Sequence, residues 1–213
     1  MKNGGSIIIR EEGKSFKYLN VEIRKLTPEL AGDYVHFFDT TPHDYNIDEH
    51  KCYCVCWCSD DSEGKDFSTR EKRRVYAGKY VKENILQGYL AYYNGKIVGW
   101  CNANAKSDCL KCESWKRQMG SVQTDESTPD IKVKSVFCFV IAPKMKRKGI
   151  ASKLLERVCQ DAVRDGFDFV EAYPSKEFVS DIDFTGPINM YLKNGFTVIY
   201  ETENSLVVTK RLK

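Results

Sequence analysis

A chain of 213 residues, 42% of them hydrophobic, holds enough apolar material to fill one sizeable core, and nothing in it suggests disorder on a large scale. Its 33 basic and 30 acidic residues leave a net charge of +3, too balanced for general nucleic-acid binding. No apolar run reaches membrane-spanning length, the apolar stretch near the start is too short for a signal peptide, and nine cysteines, an odd number, do not suit a disulfide framework; a cytoplasmic protein with reduced thiols and no membrane partner is expected.

Residues 1–18 carry Gly4-Gly5 and the short run Ile7-Ile8-Ile9, and are read as an appendage, either a tail or an edge strand; residues 19–213 are read as one domain. Residues 21–26, VEIRKL, alternate in the manner of a half-buried strand. Thr27 followed by Pro28 marks a helix start, with Leu30, Tyr34 and Phe37 on its apolar side. Residues 52–58, CYCVCWC, have a period of two and are read as a strand with four thiols on one face. Alternate side chains of a strand stand about 6.5 to 7 Å apart, so that row cannot close on one tetrahedral metal. Cys109 and Cys112 form a CxxC without a second pair, and His36, His43 and His50 lack metal-like spacing. No metal is therefore expected.

Ser68 or Thr69 opens a further helix through Tyr76, Tyr80, Val81, Ile85 and Leu86. Residues 88–101 form a hairpin with Asn94-Gly95 at its turn. Residues 105–131 are polar and read as a long loop with a short helix near Trp115, placed to shape a substrate pocket. The apolar run at residues 136–141 predicts a buried strand, which Pro143 ends. A basic turn at residues 144–148 leads to Gly149, and Ile150, Leu154, Leu155, Val158 and Ala162 then mark one face of a helix stopped by Gly166. A second buried strand covers residues 167–173. A short helix at residues 187–193 ends at Asn194-Gly195, and residues 196–201 and 206–212 supply two closing strands. The whole predicts a mixed α/β domain.

Strand, glycine turn and helix start together form an anion site. The first amides of a helix lack intrahelical partners, and their dipoles sum to about half a positive charge. Gly149 and the small Ala151 allow a diphosphate to approach, and Lys146, Arg147 and Lys148 add charge; the plain alternative is an ordinary turn with a solvated basic rim. A Walker loop is excluded because no Gly-Lys-Ser/Thr follows an earlier glycine at the required spacing, and a Rossmann fingerprint lacks two further glycines.

Lys146-Arg147-Lys148-Gly149-Ile150-Ala151 resembles the Gln/Arg-x-x-Gly-x-Gly/Ala signature of the GNAT superfamily of N-acetyltransferases, with Lys146 departing from the family's Gln or Arg. Asn189-Met190-Tyr191-Leu192-Lys193-Asn194-Gly195-Phe196 resembles the Tyr-x-Lys-x-Gly-Phe segment of the same family, in the expected order. The resemblance covers about residues 19–213. It implies a central, mostly antiparallel twisted sheet flanked by helices, with strands splayed at the cofactor site, and transfer of acetyl from acetyl-CoA to an amine in a ternary complex. Carried over, the amides around Phe139, Val140 and Ile141 serve the pantetheine and acetyl carbonyl. Those of residues 147–152, including Gly149, Ile150, Ala151 and Ser152, take the pyrophosphate, with the side chains of Lys146, Arg147 and Lys148 closing over it.

Tyr191 matches the family's general acid; a phenol, with a pKa of about 10, is near enough to an alkyl thiol to pass it a proton. A glutamate that some relatives use as base has Ser135 in its place, which leaves Glu171, Asp181 or Asp183 to accept a proton directly or through water. A small-molecule amine is the expected acceptor, in a monomer or homodimer that binds no nucleic acid. Two rival readings are a non-catalytic acyl-CoA-binding module of the same fold and a cysteine-based zinc or redox protein.

Overall fold

A computed structural model describes residues 4–11, 14–42, 47–58, 65–110, 112–119, 128, 130–180 and 182–213, with side chains from Leu19 onward except those of Glu113, Arg117 and Gln118. Eight strands form one sheet in the order β1-β2-β3-β4-β5-β6-β8-β7. They are β1 (Gly4–Glu11), β2 (Lys14–Lys25), β3 (Gly88–Tyr93), β4 (Lys96–Ala105), β5 (Val133–Ile141), β6 (Phe169–Ala172), β7 (Thr197–Glu201) and β8 (Leu206–Arg211). Every neighbouring pair is antiparallel except β5 with β6. The stretch read as a tail or edge strand supplies β1 and the first residues of β2, so β2 runs straight through the boundary expected after residue 18.

The alternation legible in the sequence sorts side chains to two faces. On one side, α5 (Ile150–Arg164) lays Ile150, Leu154, Leu155, Val158 and Ala162 against Val136 of β5 and Val170 of β6. Each of these large aliphatic side chains contributes about 1.5–3 kcal/mol by leaving water. On the other side, α1 (Ala31–Thr40) and α2 (Arg70–Lys82) cover Trp100 and Val140 with Tyr34, Phe38 and Tyr80. Thr69 caps α2, its side chain accepting from the Lys72 amide at 3.3 Å. The Asn94-Gly95 turn has φ of 50° and 75°, the two left-handed residues that a tight hairpin needs.

Residues 52–58 correct the strand expected there. Tyr53 and Cys54 are both left-handed, with φ of 49° and 52°, and a 3-10 turn follows at Val55–Trp57. Tertiary anchors override the period of two: the Tyr53 hydroxyl donates to Asp39 at 2.7 Å, Tyr34 donates to the Tyr53 carbonyl at 2.8 Å, and the Tyr53 ring stacks on Phe38. The thiols therefore do not line one strand face. In the polar stretch at residues 105–131, α3 (Lys106–Cys109) and α4 (Glu113–Met119) form, the second being the short helix expected near Trp115. Cys109 and Cys112 are buried, their thiols bonding to the carbonyls of Ala105 and Asp108. Among the described residues no group of three or more His, Cys, Asp or Glu side chains is placed to hold a metal, and no helix is long and apolar enough to cross a membrane. His36 and His50 are exposed, and His43 lies outside the described residues.

Candidate active site

β5 and β6 run side by side only from Val133↔Phe169 to Val136↔Ala172, after which β5 continues to Ile141 while Tyr173 and Pro174 lead the other chain away. On the opposite edge, β4 pairs Asn102 with Cys138 but Ala103 with Val136, so Phe137 is the extra residue of a bulge. A bulge sharpens local twist and bends its strand. The two features together splay the sheet at residue 137.

Backbone amides alternate sides along a strand, and those of Phe139 and Ile141 face away from β4, because Ala142 is the residue that donates to Val98. The Phe139 amide donates at 2.6 Å to the carbonyl of Phe184, which enters the splay from the segment between β6 and α6 (Ile188–Lys193).

Beyond Ile141, Pro143 opens a short 3-10 turn and the chain reverses through Arg147 and Gly149, with φ of 60° and 75°. Two left-handed residues in this turn gather successive N–H groups toward one side. The first amide bonded within α5 is that of Lys153, to Gly149 at 3.1 Å, so the amides of Ile150, Ala151 and Ser152 precede it, and Gly149 offers no side chain to cap them. A residue with a Cβ at Gly149 would pay for the left-handed conformation.

Strand, turn and helix start line one cleft of about 1230 Å³. Nine of the ten residues expected to hold the cofactor border it: Phe139, Val140, Ile141, Lys146, Arg147, Gly149, Ile150, Ala151 and Ser152; Lys148 stands on the turn without bordering it. The opposite wall, to which the sequence assigns no part in holding the cofactor, comes from Phe178, Val179, Phe184, Gly186, Pro187 and Met190. Gly186 is there because φ is +83° and a Cβ would come within 2.8 Å of Met190 Cε. Lys146 links the two walls, its ammonium donating to the Ser180 carbonyl at 2.8 Å.

Tyr191 and Glu171, the foremost proton-transfer candidates, do not border this cleft. Tyr191 is fully buried between Phe139 and Phe196, does not border the cleft, and donates to the Thr185 carbonyl at 2.5 Å. Burial pushes its phenol well above the ordinary value. Glu171 is also fully buried, 2.7 Å from the Lys106 ammonium, and accepts from the Tyr173 hydroxyl at 2.5 Å. Asp183 does border the cleft, but its carboxylate accepts from the amide and hydroxyl of Thr185 at 2.8 and 2.6 Å. Asp181 lies outside the described residues. Lys106 was missed, although Asn102, Asn104 and Lys106 at a period of two in an apolar strand are a polar stripe that the sequence does carry.

The model of the acetyltransferase (GNAT) family matches residues 47–196, more than half of the chain. Among solved structures, the chain is similar to a GNAT-family acetyltransferase from Streptococcus pneumoniae, at 18% identity and a TM-score of 0.51 over 91% of this chain and 99% of that one. It is similar to the GNAT domain of S. lividans PAT, at 15% identity and a TM-score of 0.53 over 98% and 97%. A third similar structure is the NatC complex bound to Gag peptide and CoA, at 12% identity and a TM-score of 0.52 over 91% and 99%. No curated protein matches. At these identities the structural likeness is one of fold, and the sequence match supplies the rest: with its splayed parallel pair, its bulge and its glycine turn inside the matched span, the chain belongs to the GNAT family of acetyltransferases.

Proposed function

We propose that the protein transfers the acetyl group of acetyl-CoA to the amine of a small molecule. The observation that carries this reading is the cleft itself, in which uncapped helix amides, a basic turn and outward-facing strand amides follow one another along a single channel. Its volume of about 1230 Å³ exceeds the roughly 300–1,000 Å³ of ordinary small-ligand pockets, as a long nucleotide thioester requires. Acetyl-CoA supplies an electrophilic thioester carbon and a thiol leaving group; the chain has only to bind, orient and move protons.

In this reading the amides of residues 147–152 receive the diphosphate, with Lys146, Arg147 and Lys148 adding charge. The amides of Phe139 and Ile141 hold the pantetheine arm, Phe139 exchanging the Phe184 carbonyl for it. Tyr191 donates a proton to the departing sulfur after releasing the Thr185 carbonyl. A small acceptor is favoured because Trp57 and Trp115 cover the far side of the splay, Trp57 stacked on Phe137 with centroids 4.5 Å apart.

Thiol release from acetyl-CoA across a panel of primary amines, alongside CoA titration calorimetry, tests the proposal. Tyr191→Phe is expected to lower turnover by about 10²-fold or more while leaving CoA affinity within about twofold. The burial of Tyr191 and Glu171 favours one second reading, a CoA-binding module without turnover. Tight CoA binding with no amine acetylated would select it.

A further inference from the structure

The face of the sheet opposite α5 carries a polar stripe where apolar packing would be expected. Asn102 and Asn104 of β4, Ser135 of β5 and Glu171 of β6 share this face by register, and all four are buried. Lys106 reaches over β5 to bring its ammonium to Glu171 at 2.7 Å, with the centroid of the Trp115 ring 5.7 Å away. The Tyr173 hydroxyl is fixed at both ends, 2.5 Å from the same Glu171 oxygen and 2.9 Å from Ser135 Oγ.

A buried Lys–Glu pair is a poor means of stabilising a core, since apolar residues of the same volume do as well or better. Its location suggests what else it does. Ser135↔Glu171 and Val136↔Ala172 are the last pairs before the strands part. Tyr173 is the first residue past them and stacks on the bulge residue Phe137, centroids 5.1 Å apart. On the same face, opposite Cys138, Asn102 buries an Nδ2 that has no hydrogen-bond partner among the described residues. A buried donor of this kind calls for a polar partner that the described residues do not supply, a water molecule or a group of the substrate.

We propose that Tyr173, positioned by Glu171 and Lys106, takes the proton of the attacking amine on this face of the splay. The proposal rests on the acetyltransferase reading above. As the amine nitrogen bonds to the thioester carbon, the C–S bond breaks and its electron pair leaves on sulfur. The N–H proton passes to Tyr173 Oη while the Tyr173 proton passes to Glu171 Oε1. The sulfur takes a proton from Tyr191, and water returns the Glu171 proton through Tyr173 and restores Tyr191, so the sum is amide plus free thiol. Lys106 balances the Glu171 charge within this buried network. Of the described groups on the elements packed here, Cys109 on α3, Trp115 on α4, Ser135 on β5 and Thr209 on β8 carry no charge, and Lys134 points to the α5 side.

The test uses the full chain, acetyl-CoA and the fastest amine of the panel. In H2O/D2O mixtures, kcat/KM for the amine is expected to fall along a curve, the signature of two protons moving together. Tyr173→Phe keeps the ring on Phe137 and is expected to lower kcat/KM about 100-fold, straighten the curve and leave CoA affinity within about twofold. Glu171→Gln should do the same, and Lys106→Arg should keep the curve; a purely structural network would lower melting temperature without altering its shape. Should Glu171→Gln not fold, Tyr173→Phe decides alone. A Tyr173→Phe enzyme within about threefold of wild type, or a linear wild-type dependence, overturns the relay and leaves the transferase reading standing. A wild type that binds CoA and acetylates no amine removes both.

Discussion

β5 separates two sites of opposite construction. On the α5 side the cleft is open and its polar groups are chiefly backbone amides, set by a bulge, two left-handed residues and a helix start. On the α1 and α2 side the corresponding surface is lined by rings and its polar groups are buried side chains, Lys106, Ser135, Glu171 and Tyr173, drawn from segments up to 67 residues apart in number, 106 to 173. A site of backbone amides depends on local geometry, whereas a site of buried charges depends on every partner remaining in place. The two sides should therefore respond differently to substitution.

The largest effect is expected on the side of the buried side chains. Lys106→Met leaves the Glu171 carboxylate buried without its cation, which costs about 3–5 kcal/mol of stability. Lys106→Met combined with Glu171→Leu should recover most of that loss, because the charge is then gone rather than stranded. Urea unfolding of the two variants measures both. A single variant as stable as wild type would mean that the Glu171 charge does not depend on Lys106 and that the two sides of β5 are not so unlike.

Lys134 sharpens the contrast from within β5. Its amine is buried and has no carboxylate within ion-pair distance among the described residues; Gln87 lies 3.4 Å away and the Phe167 ring 5.2 Å away. Burial lowers its pKa from 10.5 to about 8. A lysine depressed in the folded state binds fewer protons there than in the unfolded chain between those two values, so stability rises with pH across that window. Below about pH 8 both states are charged and the full penalty applies, at most about 3 kcal/mol. Lys134→Met should therefore stabilise the protein at pH 7 and lose most of that advantage by pH 10.5. Thermal unfolding of both proteins across this range provides the check, and an advantage independent of pH would exclude the mechanism.

The same contrast explains what could be read from the sequence. The strand at residues 136–141, the stop at Pro143, the glycine turn and the face of α5 are local patterns, and each stands in the structure where its pattern put it. The hairpin at Asn94-Gly95 was legible for the same reason, since two left-handed positions demand those residues. Residues 52–58 were not, because contacts from Asp39, Tyr34 and Phe38 hold Tyr53 and Cys54 in a turn against their period of two. The wall at Phe178 and Phe184 carries no periodic signal, being irregular chain folded back on the splay, and Met190 joins it from α6. Glu171 could be picked out by its place near the end of β6, but its ion pair with Lys106 depends on α3 and reaches across β5.

On the open side, Gly149→Ala tests how far backbone geometry carries the cleft. A left-handed conformation costs a non-glycine residue roughly 1–2 kcal/mol, so CoA affinity should fall about 10-fold while the turn either strains or relaxes. Calorimetric titration with CoA reads this directly. Unchanged affinity would mean that the amides opening α5 do not bear on the diphosphate.

The smallest effect is expected at Lys146, where two consequences oppose each other. Its ammonium adds charge beside the proposed diphosphate site, and a partly solvated cation of this kind is worth about 1 kcal/mol or less. The same ammonium ties the Ser180 carbonyl to the turn at 2.8 Å, a bond that must be exchanged if the lysine is to reach a phosphate. Lys146→Met removes both the attraction and the exchange, so CoA affinity should drop by no more than about fivefold at low salt. Adding 0.3 M NaCl should narrow the gap from wild type, because salt screens the lost attraction and leaves the strap unaffected. A gap that persists in salt would instead assign Lys146 to shaping the wall at Ser180, and would move the electrostatic share of the site onto Arg147 and the helix amides.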